Sequence, residues 1–369
     1  MEQEPKQKQG PGVFGLAAGA AALGLILSLA LAGGRARAAL APAVLDAPRQ
    51  EPAQAVEAAV SRKVIPLGKA VGIKLFSDGV LVVGLSPVET EAGSSYPGRD
   101  CGLKAGDVIT HINGGEVDTI EEVQALVAQQ EGEPLTIQAV RGQRQLQLTV
   151  AAVENSQGVY QLGVWLRDSM AGIGTVTFYC PDTGAFGALG HGINDVDTAL
   201  LMPLESGSIL PATVAGVEKG KAGDPGQLQG VFDTDSTLGL LHANTSGGVF
   251  GVMADSGWVE GTPVAAAERS EVQPGKATIL CNISGDRVEE YAIQISKVFP
   301  EREDDCRDYL IQVTDQRLLD ATGGIVQGMS GSPILQNGKL VGAVTHVLVD
   351  DPTSGYGIYV GRMLQLCDN

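Results

Sequence analysis

From Gly158 onward the chain is a long series of short β-branched runs broken by Gly, Pro, Asn and Asp, with scarcely a helical period among them. Candidate strands fall at residues 174–179, 213–217, 248–253, 277–283, 291–298, 309–313, 340–348 and 357–360. Strands this short bury little alone and must close on one another, so the pattern predicts a β-barrel or sandwich domain of roughly 200 residues. Composition agrees, because 50 glycines and only 4% aromatics favour tight turns and short strands over large helical cores.

Ahead of that series, residues 64–155 form a separate pattern, with β-branched runs, a turn-rich middle, one helix and a final strand pair. The helix is expected over residues 119–130, with Asp118 as N-cap and Ile120, Val123, Ala125, Leu126 and Val127 on its apolar face. Strands are expected at 134–140 and 145–150, joined by the Arg141-Gly142 turn. The run Gly102-Leu103-Lys104-Ala105-Gly106-Asp107-Val108-Ile109-Thr110-His111-Ile112-Asn113-Gly114 resembles the GLKxGDVIxxING signature of PDZ domains. Such domains add a peptide strand to a sheet edge beside a helix and hold its terminal carboxylate on backbone amides. By that resemblance the holding loop is Val71-Gly72-Ile73, and the ligands are peptide C-termini or internal segments. His111 alternates within the VITHI strand and reads as a solvent-facing strand residue.

Residues 13–32 are almost wholly apolar, about the ~20 residues a helix needs to cross a bilayer. A signal or transmembrane helix is expected there, after a tail at 1–12, with the bulk of the chain outside the cytoplasm. Residues 33–63 mix Ala, Pro and charge without periodicity and read as a tether. An extended, unpaired tether is also where self-cleavage is expected.

Chemistry concentrates in Gly328-Met329-Ser330-Gly331-Ser332-Pro333. A Gly-x-Ser-Gly turn bends tightly enough to project the hydroxyl while the amides of Gly328 and Ser330 converge as an oxyanion hole. The pattern is similar to the nucleophile loops of chymotrypsin-like serine proteases, which makes Ser330 the nucleophile. A serine needs a base, and the four histidines are His111, His191, His242 and His346. His346, in VGAVTHVLV, reads as a core or surface imidazole, which leaves His191, between glycines, and His242, beside a polar loop. For the carboxylate that orients the imidazole, Asp195, Asp197, Asp315 and Asp320 all stand open on spacing alone.

Residues 313–347, with GALGHGI and DPTSGYGI, resemble the SpoIVB peptidases, PDZ-containing serine endopeptidases of endospore-forming bacteria. The resemblance implies a triad of His191, Asp315 and Ser330 in a chymotrypsin-like barrel domain over residues 156–369. It also implies a role in sporulation signalling. The enzyme is exported into the space between forespore and mother-cell membranes, cleaves itself, and then cleaves a membrane-bound regulator, stage IV sporulation protein FA. That cut releases an intramembrane protease that matures a mother-cell sigma factor.

Other classes fit less well. Forty-three acidic against 25 basic side chains give a net charge of −18, which repels nucleic acid. The five cysteines show no metal-ligand spacing and read as buried free thiols. No HExxH occurs, so neither metal nor cofactor is expected. A membrane-tethered PDZ scaffold with a vestigial GxSG turn is the non-enzymatic alternative.

Overall fold

The computed structural model describes residues 62–300 and 306–368. The expected membrane helix, the tail and nearly all of the tether lie outside the described residues. Among the described residues, no helix is long and apolar enough to cross a membrane.

The protein is mainly β. The first strand, β1 (Lys63–Leu85), is followed by β2 (Asp107–Ile112), helix α1 (Ile120–Gln129), β3 (Pro134–Arg141) and β4 (Arg144–Ala151). A long strand β5 (Val164–Tyr179) leads to β6 (Ala185–Ala188), β7 (Ser206–Glu218), β8 (Gln227–Phe232), β9 (Gly239–Thr245) and β10 (Gly248–Met253). Then come β11 (Gly275–Ser284), β12 (Arg287–Val298), β13 (Tyr309–Val313), α2 (Gln316–Thr322), β14 (Pro333–Gln336), β15 (Lys339–Leu348), β16 (Asp351–Tyr359) and α3 (Val360–Cys367).

Two barrels and one smaller module follow from the pairing. Strands β1, β5, β6, β10, β9 and β7 are linked in a ring of six, closed where residues 71–76 of β1 pair antiparallel with residues 206–211 of β7. Strands β11, β12, β13, β16, β15 and β14 close a second barrel. Each encloses its own core: Val71, Ile73, Val176, Phe186, Ile209 and Val249 in the first, and Ile279, Ile293, Tyr309, Ile311 and Val344 in the second. Paired barrels are the architecture of chymotrypsin-like proteases.

The smaller module uses the far end of β1. Val80 and Leu81 pair with Ile109 and Val108 of β2, and β3 and β4 extend that sheet. Helix α1 closes it by burying Val123 and Val127 against Val80, Ile109 and Ile137. The helix is capped by Thr119, not Asp118: the Thr119 hydroxyl accepts from Glu122 N–H while Glu122 accepts from the Thr119 amide. Asp118 instead accepts from the Gly79 amide at 2.9 Å.

The boundary expected at Val64 falls inside β1. Residues 65–76 pair with β5 in the first barrel, and only the strand's end enters the smaller module. A β-bulge between Phe76 and Leu81 separates the two uses of the strand. Sequence patterning did not show this: Ser77-Asp78-Gly79 interrupts the apolar pattern at the junction, but it does not say that one strand serves two sheets. The short helices α2 and α3 were also unanticipated.

The barrels meet at Thr175. Its amide donates to Ser330 C=O at 3.1 Å, its carbonyl accepts from Leu189 N–H at 3.2 Å, and its hydroxyl donates to Gly328 C=O at 2.8 Å. Gly331 is required beside it: its φ is +98°, and a Cβ there would collide with the Thr175 carbonyl. Replacing Thr175 by Val keeps the shape but leaves the Gly328 carbonyl without its donor. A loss of about 1–3 kcal/mol in stability is expected, measurable by urea unfolding, together with reduced peptidase activity.

Candidate active site

Ser330 precedes β14 of the second barrel, and His191 follows β6 of the first. Both line one cavity of about 310 Å³, shared with Ile73, Met170–Ile173, Leu189, Ile193, Asn194 and Gly328. Opposite barrels thus supply the hydroxyl and the imidazole to one cleft.

The nucleophile turn disposes of its amides unevenly. Met329, Gly331 and Ser332 donate to the carbonyls of Val326, Val344 and Met329 at 3.1, 2.8 and 3.0 Å. The amides of Gly328 and Ser330 donate to no group of the chain among the described residues. The two N–H groups left over are those an acyl oxyanion would require. Ser330 Oγ donates to Thr345 C=O at 2.8 Å, so the hydroxyl must turn from that carbonyl before its proton can pass to an imidazole.

His191 Nδ1 lies 2.8 Å from its neighbour's carbonyl, Gly192 C=O. The carbonyl can only accept, so Nδ1 carries the proton and Nε2 is left to accept one. Burial pushes the imidazole below its ordinary range, opposed in part by this hydrogen bond. His191 therefore stays neutral at neutral pH, the form a general base needs. Its ring lies 5.1 Å, centroid to centroid, from that of His346, tilted by 39°. Sequence reading left His346 as a core or surface imidazole; strand alternation turns it outward beside the buried Thr345, next to His191. His242 is exposed on β9 and His111 half-buried on β2, both outside this cavity.

Asp315 is engaged elsewhere. Its carboxylate caps α2, accepting from the Arg317 amide at 3.0 Å, the Ala292 amide at 3.2 Å and the Arg317 guanidinium at 2.9 Å. The hydrogen bond from Arg317, with the two amides, holds it at about 2 despite an opposing desolvation effect. The structure does not bring it to His191, whose orienting partner is a backbone carbonyl. Asp320 accepts from Gln316 on the same helix.

Val71, Gly72 and Ile73 also lie away from their expected position. They sit mid-strand in β1, paired on one side with β5 and on the other with β7, so neither edge is open to a peptide. Ile73 instead lines the Ser330 cavity. The open groove beside α1 has a volume of about 630 Å³, with Val123, Gln124, Val127 and Ala128 on one wall and residues 159–166 on the other. Residues 164–166 of β5 pair only with β1 among the described residues, which leaves their second edge facing the helix. The available signal was Leu162-Gly163-Val164, a glycine of φ +68° before a β run, which fell beyond the boundary drawn at residue 155.

The loop after His191 is organised by a fully buried carboxylate. Asp195 accepts from the Thr198 amide and hydroxyl, both at 2.8 Å, from the Asp197 amide at 3.1 Å, and from Arg167 of β5. None of the five cysteines forms a disulfide; Cys180, Cys281 and Cys367 are buried and Cys101 and Cys306 half-buried.

A nucleophile turn with two uncommitted amides, facing an imidazole across two barrels, together with a peptide groove, defines the class: a serine peptidase carrying a PDZ module. The chain belongs to the SpoIVB peptidase S55 family, whose profile matches residues 158–364, and a PDZ domain profile matches residues 90–141. No curated protein matches it. Among solved structures it is similar to the Rv3671c protease from M. tuberculosis in its active form, at 16% identity over 54% of this chain and 73% of that one, TM-score 0.29. It is also similar to the PDZ domain of the SdrC-like protein from Listeria monocytogenes, at 24% identity over 24% of this chain and 87% of that one, TM-score 0.20.

Two measurements check this geometry. Because the His191 pKa is lowered and the base must be neutral, the acid limb of kcat/KM is expected below the ~6.5 of a free imidazole. Asp315 is lowered to about 2, so its ion pair stabilises fully above the unfolded carboxylate's ~3.9 and is lost as pH falls towards 2. Asp315→Ala should cost about 1 kcal/mol at pH 7 through the lost cap, with the difference from wild type narrowing in unfolding curves below pH 4.

Proposed function

We propose that Ser330 is the nucleophile, His191 its general base, and the Gly328 and Ser330 amides the oxyanion hole of an endopeptidase acting first on itself. The shared cavity between the barrels carries this reading. In it, Ser330 Oγ turns from Thr345 and passes its proton to His191 Nε2 while attacking the scissile carbonyl. The tetrahedral oxyanion is met by the two amides, each worth about 3 kcal/mol. His191 then protonates the leaving amine, and the acyl-enzyme is hydrolysed by a water that the same imidazole activates.

Asp315 acts in this scheme as a supporting residue. It fixes the start of α2, which leads directly into the nucleophile loop, while the Gly192 carbonyl sets the imidazole tautomer. Ser330→Ala should abolish turnover, a loss of several orders of magnitude. Asp315→Ala should retain measurable activity at temperatures where it stays folded. Equal losses in two folded variants would instead make Asp315 a direct partner of His191.

Family membership supports the biological setting. The chain is exported by its apolar N-terminal segment and works outside the cytoplasm, in the space between forespore and mother-cell membranes. It frees itself by a cut within residues 33–63, and then cleaves a membrane-bound regulator that restrains an intramembrane protease, so that a mother-cell sigma factor matures. The groove between α1 and β5 recruits protein substrates by strand addition to the free edge at residues 164–166. Incubating wild-type enzyme with a Ser330→Ala copy should cut the copy within residues 33–63, as N-terminal sequencing would show. An intact copy beside active enzyme would rule out cleavage between molecules, and a copy that processes itself alone would rule out Ser330 as nucleophile.

A further inference from the structure

One strand serves both functional regions. Residues 164–166 of β5 form a wall of the peptide groove, and residues 170–173 form a wall of the Ser330 cavity. Arg167 and Asp168 lie between them, opposite the bulge where β1 leaves the first barrel for the PDZ sheet. Successive strand residues face opposite ways, and these two grip different partners. Asp168 accepts from the Ile120 amide at 2.9 Å, at the first turn of α1. Arg167 binds Asp195 and, at 2.8 Å, Asp197, both in the loop that follows His191.

The loop is held elsewhere by Met202, buried against Leu75 and Leu81, and by a polar side chain of the first barrel. Asn244 of β9 accepts from the Ile193 amide and donates to the carbonyls of Ile193 and Met202. Asp195 is fully buried while Arg167 remains 27% exposed. A buried carboxylate deprived of its cation must move towards water or take up a proton. A move towards water would shift the adjoining Asn194, which lines the Ser330 cavity three residues after His191.

We infer that Arg167 is a positioning residue for the reaction: it holds the His191 loop against β5, and through β5 ties that loop to the peptide groove. This rests on the assignment of His191 and Ser330 made above. Anything that shifts α1 or adds a strand at residues 164–166 acts on the strand that carries both grips.

The test uses diisopropyl fluorophosphate, which phosphorylates an activated serine and needs no knowledge of substrate. Its rate on Ser330, per folded molecule by circular dichroism, should fall on the order of ten- to a hundredfold in Arg167→Ala. Arg167→Lys should regain much of that loss. An unchanged rate in folded Arg167→Ala would overturn the inference, since a merely structural residue lowers the melting temperature without slowing the folded enzyme. Should Arg167→Ala not fold, Arg167→Gln serves with the same expectation and the same refutation. Coupling is reciprocal, so sealing Ser330 should also change amide exchange across Ile120–Gln129 in wild type and not in the slowed Arg167 variant. No change in wild type would refute the link to the groove. A wild-type enzyme that forms no adduct at Ser330 would sink the nucleophile assignment itself.

Discussion

Thr175 joins the two halves of the catalytic centre. It lies in the first barrel, yet its amide and hydroxyl reach the carbonyls of Ser330 and Gly328, while its carbonyl takes the Leu189 amide two residues before His191. One buried residue, through its backbone and its hydroxyl, thus fixes the Ser330 turn and the start of the His191 loop in a common frame. Two barrels with separate cores have no inherent reason to align to within a bond length. Among the described residues, the amides of Met329, Gly331 and Ser332 in the turn are committed to carbonyls, and those of Gly328 and Ser330 are not.

Much of this centre was legible in the residues. Gly328 to Pro333 announces a tight turn, and His191 between glycines announces a ring at the end of a strand, although the structure largely buries that ring where an exposed one was expected. Strand positions were also largely readable: residues 248–253 and 309–313 coincide with β10 and β13. What could not be read is how strands are shared. The run from Lys63 to Leu85 carries Ser77-Asp78-Gly79 where it passes from one sheet to another, but that mark does not say which partners each half takes, so Val71, Gly72 and Ile73 were assigned to a carboxylate loop although both their edges are occupied. Local pattern reports a strand's two faces and says nothing of its two edges.

Asp315 illustrates a different limit. Its spacing from Ser330 fits the family motif, but a carboxylate immediately before a helix has a local partner available in the helix amides, and here Arg317 adds a second. His191 Nδ1 lies instead against the Gly192 carbonyl, a backbone contact that no side-chain pattern could reveal. The partnership of Arg167 with Asp195 was equally hidden. Buried charge pairs depend on which loops fold back onto which strands, and that is decided by the barrels as wholes.

The account stands or falls on Ser330 and His191 acting at one reacting centre. A peptidyl chloromethyl ketone tests this directly, because it adds its carbonyl to the serine oxygen and its methylene to the imidazole nitrogen, and so requires both. Peptide mapping by mass spectrometry should find the alkylation on His191, and the modification should vanish when Ser330 is replaced by alanine. Alkylation at another histidine, or modification of His191 undiminished without the serine, would contradict it.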